Sequence, residues 1–184
     1  MSSPRRQGFT LIEGIVLVAI VGIVATIAVP NFIRLQTRNR TAEALTNLGA
    51  LRDAQAARFA ELGNFVRAGS APEGVPGPQA RPWVGADTLE FSQLLGFRPE
   101  GDVYFQYGVN GEGEAYTLTA MSDLDGRGPR AQFGLVHAAP GETLGLPHMF
   151  GSCARTGVWN PATQRASLRD RVGPCGAEDG TSRL

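Results

Sequence analysis

Hydrophobic positions fall into three regimes along this chain. From Phe9 to Val29 they are almost continuous: Ile, Val, Leu, Ala, Phe and Gly fill the stretch, and no Lys or Arg interrupts it. As a helix it would be about 31 Å long at ~1.5 Å per residue, enough to cross a hydrocarbon core. After Pro30 the uniform apolarity gives way to helical spacing. Leu45, Leu48, Leu51, Phe59 and Leu62 form one stripe, Arg38, Glu43, Asn47, Arg52, Arg58 and Glu61 stand on the opposite face, and Gly63-Asn64 supplies a stop. Further on come three short β-rich runs, 103–109, 115–121 and 131–136, punctuated by Asn110-Gly111 and Asp125-Gly126.

These regimes predict an α+β protein in which a long N-terminal helix packs on a small antiparallel sheet. The apolar half, 9–30, protrudes as the membrane span, and the amphipathic half, 31–62, covers the sheet of 102–139 with its Leu45 to Leu62 stripe. Between them, 63–101 reads as a loop: Val66 to Val84 is a surface connection carrying Pro72, Pro76, Pro78 and Pro82, and Thr88 to Phe97 adds a short helix with Leu89, Leu94 and Leu95 turned inward. The region 140–184 is rich in Gly and Pro and holds both cysteines. Pro30 removes a backbone donor, so the helix is expected to kink or loosen there. Gly22 weakens the same segment and forms a small-x-x-x-small pair with Thr26 that allows close helix approach.

Composition narrows the picture. The chain has 184 residues and zero net charge, with seventeen basic residues, all Arg, balanced by seventeen acids. The arginines are spread along the chain, so no basic patch points to nucleic acid. Arg5 and Arg6 precede the span while Arg34, Arg38 and Arg40 follow it, and charge alone leaves the topology open. A secretory signal fits poorly, because the apolar run is too long and no Ala-x-Ala-like site ends it. A plain signal-anchor does not account for Glu13, a carboxylate placed just inside the span, where a lone acid asks for a partner.

Gly8-Phe9-Thr10-Leu11-Ile12-Glu13, the apolar run behind it and Pro30-Asn31-Phe32 resemble the leader and N-terminal helix of type IV pilins and pseudopilins. The stretch Leu51 to Phe65 also resembles the end of the long helix in that family. The resemblance implies that residues 1–8 are a leader, that a prepilin peptidase cuts between Gly8 and Phe9, and that the same enzyme methylates the new amine at Phe9. It further implies that Glu13 of an incoming subunit neutralises the Phe9 amine of its neighbour. Gly22 and Pro30 would bound a segment that loses helical structure in the packed fibre. Partners would be other pilin subunits, the peptidase, the membrane and an inner-membrane assembly platform. The chain would sit in the inner membrane of a bacterium with its head, 31–184, in the periplasm, and then in a pilus or periplasmic fibre. Gly14 departs from the family, which has a bulky apolar residue at that place, and this points toward a minor or specialised pilin.

A C-terminal disulfide loop is common in type IV pilins, and Cys153 and Cys175 stand in a similar position. A bridge would close a loop of about two dozen residues and, in the chain-entropy picture, stabilise by roughly 3 kcal/mol. Two buried thiols are the alternative, and an exported segment with little core favours the bridge. Asp123 and Asp125 in Ser122 to Gly128 invite a calcium reading, since alternate carboxylates before a glycine turn can converge on a hard cation. Arg127 stands where a third oxygen donor belongs, and a plain Asp-Gly turn is the preferred reading, with no other cofactor expected. His137 and His148 lie in no ligand or triad spacing. Tyr104, Tyr107, Tyr116, Trp83 and Trp159 could make a carbohydrate surface but suit core and cross-strand pairing better. No residue is assigned a catalytic role.

The sequence therefore predicts a structural, non-catalytic subunit of a type IV pilus. Alternatives are a pseudopilin of a type II secretion system, a tip adhesin with a calcium-binding turn, and an anchored periplasmic enzyme. The mature chain is expected to begin at Phe9, as mass spectrometry of membrane-embedded protein would show. An intact Met1 in cells that express the peptidase contradicts this.

Overall fold

The computed structural model describes residues 9–126, 128 and 131–179; the leader with Arg5, Arg6 and Gly8, and likewise Arg127, lie outside the described residues. The chain divides into two units, residues 1–36 and 37–184. Its elements are α1 (Leu11–Leu62), β1 (Gly69–Ala71), α2 (Ala86–Leu95), β2 (Gln106–Glu112), β3 (Ala115–Ser122), β4 (Ala131–His137), β5 (Val158–Asn160), β6 (Arg165–Leu168) and β7 (Gly173–Pro174). This is the predicted α+β arrangement of a long N-terminal helix and an antiparallel sheet.

In the first unit α1 runs unbroken through Pro30, where a loosening was expected. One proline deletes a single backbone donor, and the flanking turns keep theirs. Thr26 Oγ1 also donates to Gly22 O at 2.8 Å, one turn back. Ile12, Ile15, Val16, Leu17, Val18 and Val21, on every side of the helix, are all more than half exposed.

The second unit is built on a five-stranded sheet of order β1-β2-β3-β4-β7, all neighbours antiparallel, with β5-β6 as a separate hairpin. Two strands of the five-stranded sheet come from places read as irregular, β1 from the Val66 to Val84 connection and β7 from the C-terminal region, which also supplies the β5-β6 hairpin. The connection is therefore not purely surface, since Ala68, Ala71 and Trp83 are buried in the core. Both additions are two or three residues long, too short to show a period. The β2-β3 turn is Gly113-Glu114, not Asn110-Gly111, with Gly113 at φ 56°. Gly111 instead lies within β2, where a Cβ would strike the Val66 backbone.

The helical stripe also differs in phase. The buried positions of α1 are Ala44, Leu48, Leu51 and Gln55, while Leu45 and Leu62 are 40% and 57% exposed. Gln55 is admitted because both ends of its amide are satisfied: Nε2 donates to Val66 O at 2.6 Å and Oε1 accepts from Val66 N at 3.1 Å. Glu43 and Asn47, read as outward, turn toward the sheet. Tyr104 N–H and Tyr107 Oη donate to Glu43, at 3.1 and 2.9 Å, and Asn47 Nδ2 donates to Tyr107 Oη at 2.9 Å. Burial pushes the Glu43 carboxyl up, against the pull of these hydrogen bonds. In α2 the buried residues are Thr88, Phe91 and Leu95, while Leu89 and Leu94 are exposed. Arg58 holds the C-terminal end of that helix, donating to the carbonyls of Leu94 and Gln93.

All eight residues of β3 are buried, so the sheet is covered on both faces. Tyr107, Val109, Leu118, Ala120, Phe133 and Leu135 share the core with the buried face of α1. On the other face the register aligns Gly108, Thr119 and Gly134 in one row across three strands. Two missing side chains make a trough, and residues 145–154 fill it. A Cβ on Gly108 would lie 2.7 Å from the Phe150 ring, and one on Gly134 would lie 3.3 Å from the His148 ring. His148 Nδ1 is hydrogen-bonded to Thr119 Oγ1 at 2.8 Å.

Burial lowers the His148 pKa from its ordinary 6.5. The unfolded chain therefore binds a proton there at a pH where the folded chain does not, and stability falls as pH drops below 6.5 toward the folded value. Glu43 and Asp179, raised by burial from 4.5 and 3.8, act in the opposite sense at lower pH. Lowering the pH from about 7.5 to about 5.5 should reduce the amide-exchange protection of residues 145–154, measured relative to the intrinsic exchange rate at each pH, before it affects β2 and β3. His148→Asn should flatten that dependence; equal pH sensitivity in both proteins would contradict this role.

Candidate assembly site

The residues singled out at the N-terminus lie at the start of α1. Thr10 precedes the first helical residue and Glu13 stands in the first turn. Glu13 Oε2 accepts from Thr10 N at 2.9 Å and from Thr10 Oγ1 at 2.7 Å, while Glu13 N approaches Thr10 Oγ1 at 3.4 Å. That is a capping box, in which a Thr and a Glu three residues on reciprocally satisfy backbone donors that a helix start leaves free. The acid in the apolar run thus has a local partner that the sequence reading missed. Its signal, Thr-x-x-Glu ahead of an apolar run, stands in Thr10-Leu11-Ile12-Glu13. Oε1 makes no hydrogen bond among the described residues, so half of the carboxylate stays open to a second donor.

Around this cap the surface is apolar and uncovered. Phe9, Leu11 and Ile12 are 75%, 84% and 70% exposed. A Cβ on Gly14 or Gly22 would meet nothing within 4 Å, so nothing in the chain itself requires glycine at either place. α1 is long and apolar enough to cross a membrane. Gly8, the expected residue before the cut, lies outside the described residues. Phe9, Glu13, Gly22 and Pro30 fall on one segment, at or within the first part of α1.

The other candidates lie in the second unit. Cys153 and Cys175 are bridged, with their Cα atoms 4.8 Å apart. The bridge joins the trough-filling segment to the residue after β7, whose amide donates to Gln132 O at 3.0 Å. Asp123 forms a turn: Oδ1 accepts from Gly128 N at 3.0 Å, and its own carbonyl accepts from Gly126 N at 3.2 Å. Asp125 is exposed beside it. Among the described residues no three His, Cys, Asp or Glu side chains converge as metal ligands would. His137 Nδ1 pairs with Asp170 Oδ1 at 2.5 Å, and its ring stacks on Tyr116. The aromatic residues do not form one surface, because Trp83, Tyr107 and Tyr116 are buried and Tyr104 lies under the Arg40 guanidinium.

Known proteins place the N-terminal segment. The family described as the prokaryotic N-terminal methylation motif matches residues 3–29. The type IV major pilin protein PilA of Myxococcus xanthus (strain DK1622) is 49% identical over 75 residues, covering 39% of this chain and 34% of that protein. The chain therefore spans about a third of the length of the relative it matches. No solved structure matches.

The cap predicts a local effect. Thr10→Val keeps the side-chain volume but removes the hydroxyl, and a lost cap costs about 1 kcal/mol of helix stability. In detergent micelles, amide exchange at Glu13 and Gly14 should rise about fivefold, with no change in the middle of α1. Unchanged exchange at those amides would show that Thr10 does not cap the helix.

Proposed function

We propose that this chain, whose residues 3–29 match the prokaryotic N-terminal methylation motif, is a structural subunit, cut before Phe9, methylated there, and polymerised through residues 9–30 into a type IV pilus. The observation that carries this reading is a long apolar helix left bare by its own chain, interrupted by a single carboxylate with one oxygen still open. A membrane accounts for the bare surface before assembly but not for the carboxylate. Neighbouring subunits account for both, by burying the apolar faces against one another and by presenting the Phe9 amine to Glu13.

The prepilin peptidase and an inner-membrane platform are the partners this route needs. The head, with its Cys153–Cys175 bridge, belongs on the oxidising side of the membrane. A pilus is favoured over a secretion pseudopilus because the relative is named a major pilin and a disulfide loop closes the C-terminal region. The open space beside Gly14 keeps a minor or specialised role in view. A calcium-binding turn receives less support, since Asp123 already uses one carboxylate oxygen to hold the turn. Nothing in this reading calls for catalysis.

Glu13→Ala separates a filament subunit from a plain membrane anchor. An anchored monomer tolerates the loss of a charge from its span, whereas a filament loses the counter-ion of every buried Phe9 amine. Sheared-fibre yield should fall to background for Glu13→Ala, while membrane level and Phe9 cleavage remain as in wild type. Normal fibres from Glu13→Ala would show that register comes from the heads and that the carboxylate is not part of assembly.

A further inference from the structure

Charged residues bracket the apolar part of α1. The twenty residues 14–33 carry no charge, and Glu13 and Arg34 stand on either side of them. From Glu13 to Arg34 the helix rises about 31 Å at ~1.5 Å per residue, which matches the ~30 Å thickness of a hydrocarbon core. With Glu13 at one interface of a bilayer, Arg34 and the residues just after it reach the other. Phe32 and Leu35, which flank Arg34, are apolar and more than half exposed, as suits residues that meet lipid at an interface.

The charge at that end is of one sign. No acid occurs between Glu13 and Glu43, whereas Arg34, Arg38 and Arg40 fall within seven residues. Glu43 does not neutralise them, because its carboxylate accepts from Tyr104 N–H and Tyr107 Oη of the sheet. Arg38 is exposed and makes no hydrogen bond or ion pair among the described residues. The Arg40 guanidinium lies over the Tyr104 ring, 4.7 Å from its centre. Stacking fixes the plane of a guanidinium and leaves its edge N–H groups for another acceptor. The Cα–Cβ bonds of a helix tilt toward its N-terminus, which at Arg38 and Arg40 is the direction of the span. Donors without acceptors at that level fit phosphate, which takes two N–H bonds from one guanidinium. We propose that Arg38 and Arg40 bind the phosphates of anionic phospholipids in the leaflet on the head's side, and so hold the span at the depth where Glu13 meets the opposite interface. The contact rests on the reading of residues 9–30 as a membrane span and belongs to the subunit before it enters a fibre.

Spin-labelled phosphatidylglycerol and phosphatidylcholine test it, with the full-length chain in phosphatidylcholine vesicles and Arg5 and Arg6 replaced by Gln in every protein compared, so that the far leaflet does not contribute. The lipid layer immobilised by the protein should favour the anionic label about threefold, and about 0.5 M salt should weaken that preference. Arg38→Gln, which breaks no contact within the head, should lower it to about twofold, and Arg40→Gln added to it should leave almost none. Arg165→Gln with Arg171→Gln removes the same charge from the exposed β6 side and should change nothing. A preference that survives Arg38→Gln with Arg40→Gln, or that falls equally with Arg165→Gln and Arg171→Gln, overturns the contact. If it survives while the sheared-fibre yield of the Arg38→Gln, Arg40→Gln protein drops, the arginines serve a neighbouring subunit instead. If alkaline carbonate strips the chain from the vesicles, the span reading fails and this contact falls with it. A carbonate-resistant chain that keeps the lipid preference but forms no fibres removes the filament reading and leaves this contact standing.

Discussion

The second unit depends on the burial of β3 along its whole length. A central strand with no solvent-facing side needs a cover on each face, and the two covers here are of different kinds. One is the regular helix α1, whose Ala44, Leu48, Leu51 and Gln55 face reaches the even-numbered side chains of β3. The other is irregular chain seated on the Gly108–Thr119–Gly134 row. An irregular cover makes few ladder hydrogen bonds of its own and so needs fastening. The Cys153–Cys175 bridge, the short β7 pairing and the hydrogen bond between Thr119 and His148 together provide it. The disulfide thus belongs to sheet coverage as much as to loop closure.

The first unit poses the opposite problem, an apolar helix with no cover from its own chain. Its one acid is placed where it does the least harm to a single subunit, in the first turn, capping the helix from within. A cut before Phe9 would leave that cap intact, because the Thr10 amide belongs to the Phe9–Thr10 bond. The new amine would then lie at Phe9, one residue before Thr10 and four before the Glu13 carboxylate. The capping box fixes where the carboxylate points before any neighbour arrives, and the open Oε1 is the part on which a neighbour can act.

What could be read from the sequence divides along physical lines. The long helix was legible because continuous apolarity and 3.6-residue spacing extend over many turns, and β2, β3 and β4 because strand-forming runs sit between turn residues. The phase of the stripe was not legible. Leu45 and Leu62 look like core by residue type, whereas Gln55, Glu43 and Asn47 enter only because Val66, Tyr104 and Tyr107 supply hydrogen-bond partners far away in sequence. The hairpin turn was misplaced because Asn110-Gly111 is a strong local turn signal, yet Gly111 is glycine to make room for the Val66 backbone. β1 and β7 are too short to show a period, and their pairing partners alone define them. At the candidate site, Glu13 stands out as an acid in an apolar run, whereas its Thr10 partner is marked only by the short Thr-x-x-Glu spacing and shows its role in the cap geometry.

The glycines separate what the chain requires of itself from what something else requires of it. In the second unit Gly108, Gly134 and Gly145 are held to glycine by neighbours that a Cβ would strike or crowd. In the apolar half of α1, Gly14 and Gly22 have open space where a Cβ would go, and neither adopts a positive φ. Glycine inside a helix costs about 1 kcal/mol relative to alanine, so two such positions weaken α1 with no return inside the subunit. A membrane does not ask for them either, since lipid accommodates larger side chains. Close approach of a second helix does ask for them, because small residues let backbones meet. In the filament proposed above, the bare helix, the half-engaged carboxylate and the unforced glycines would all meet the same cover, other copies of α1 or helices like it.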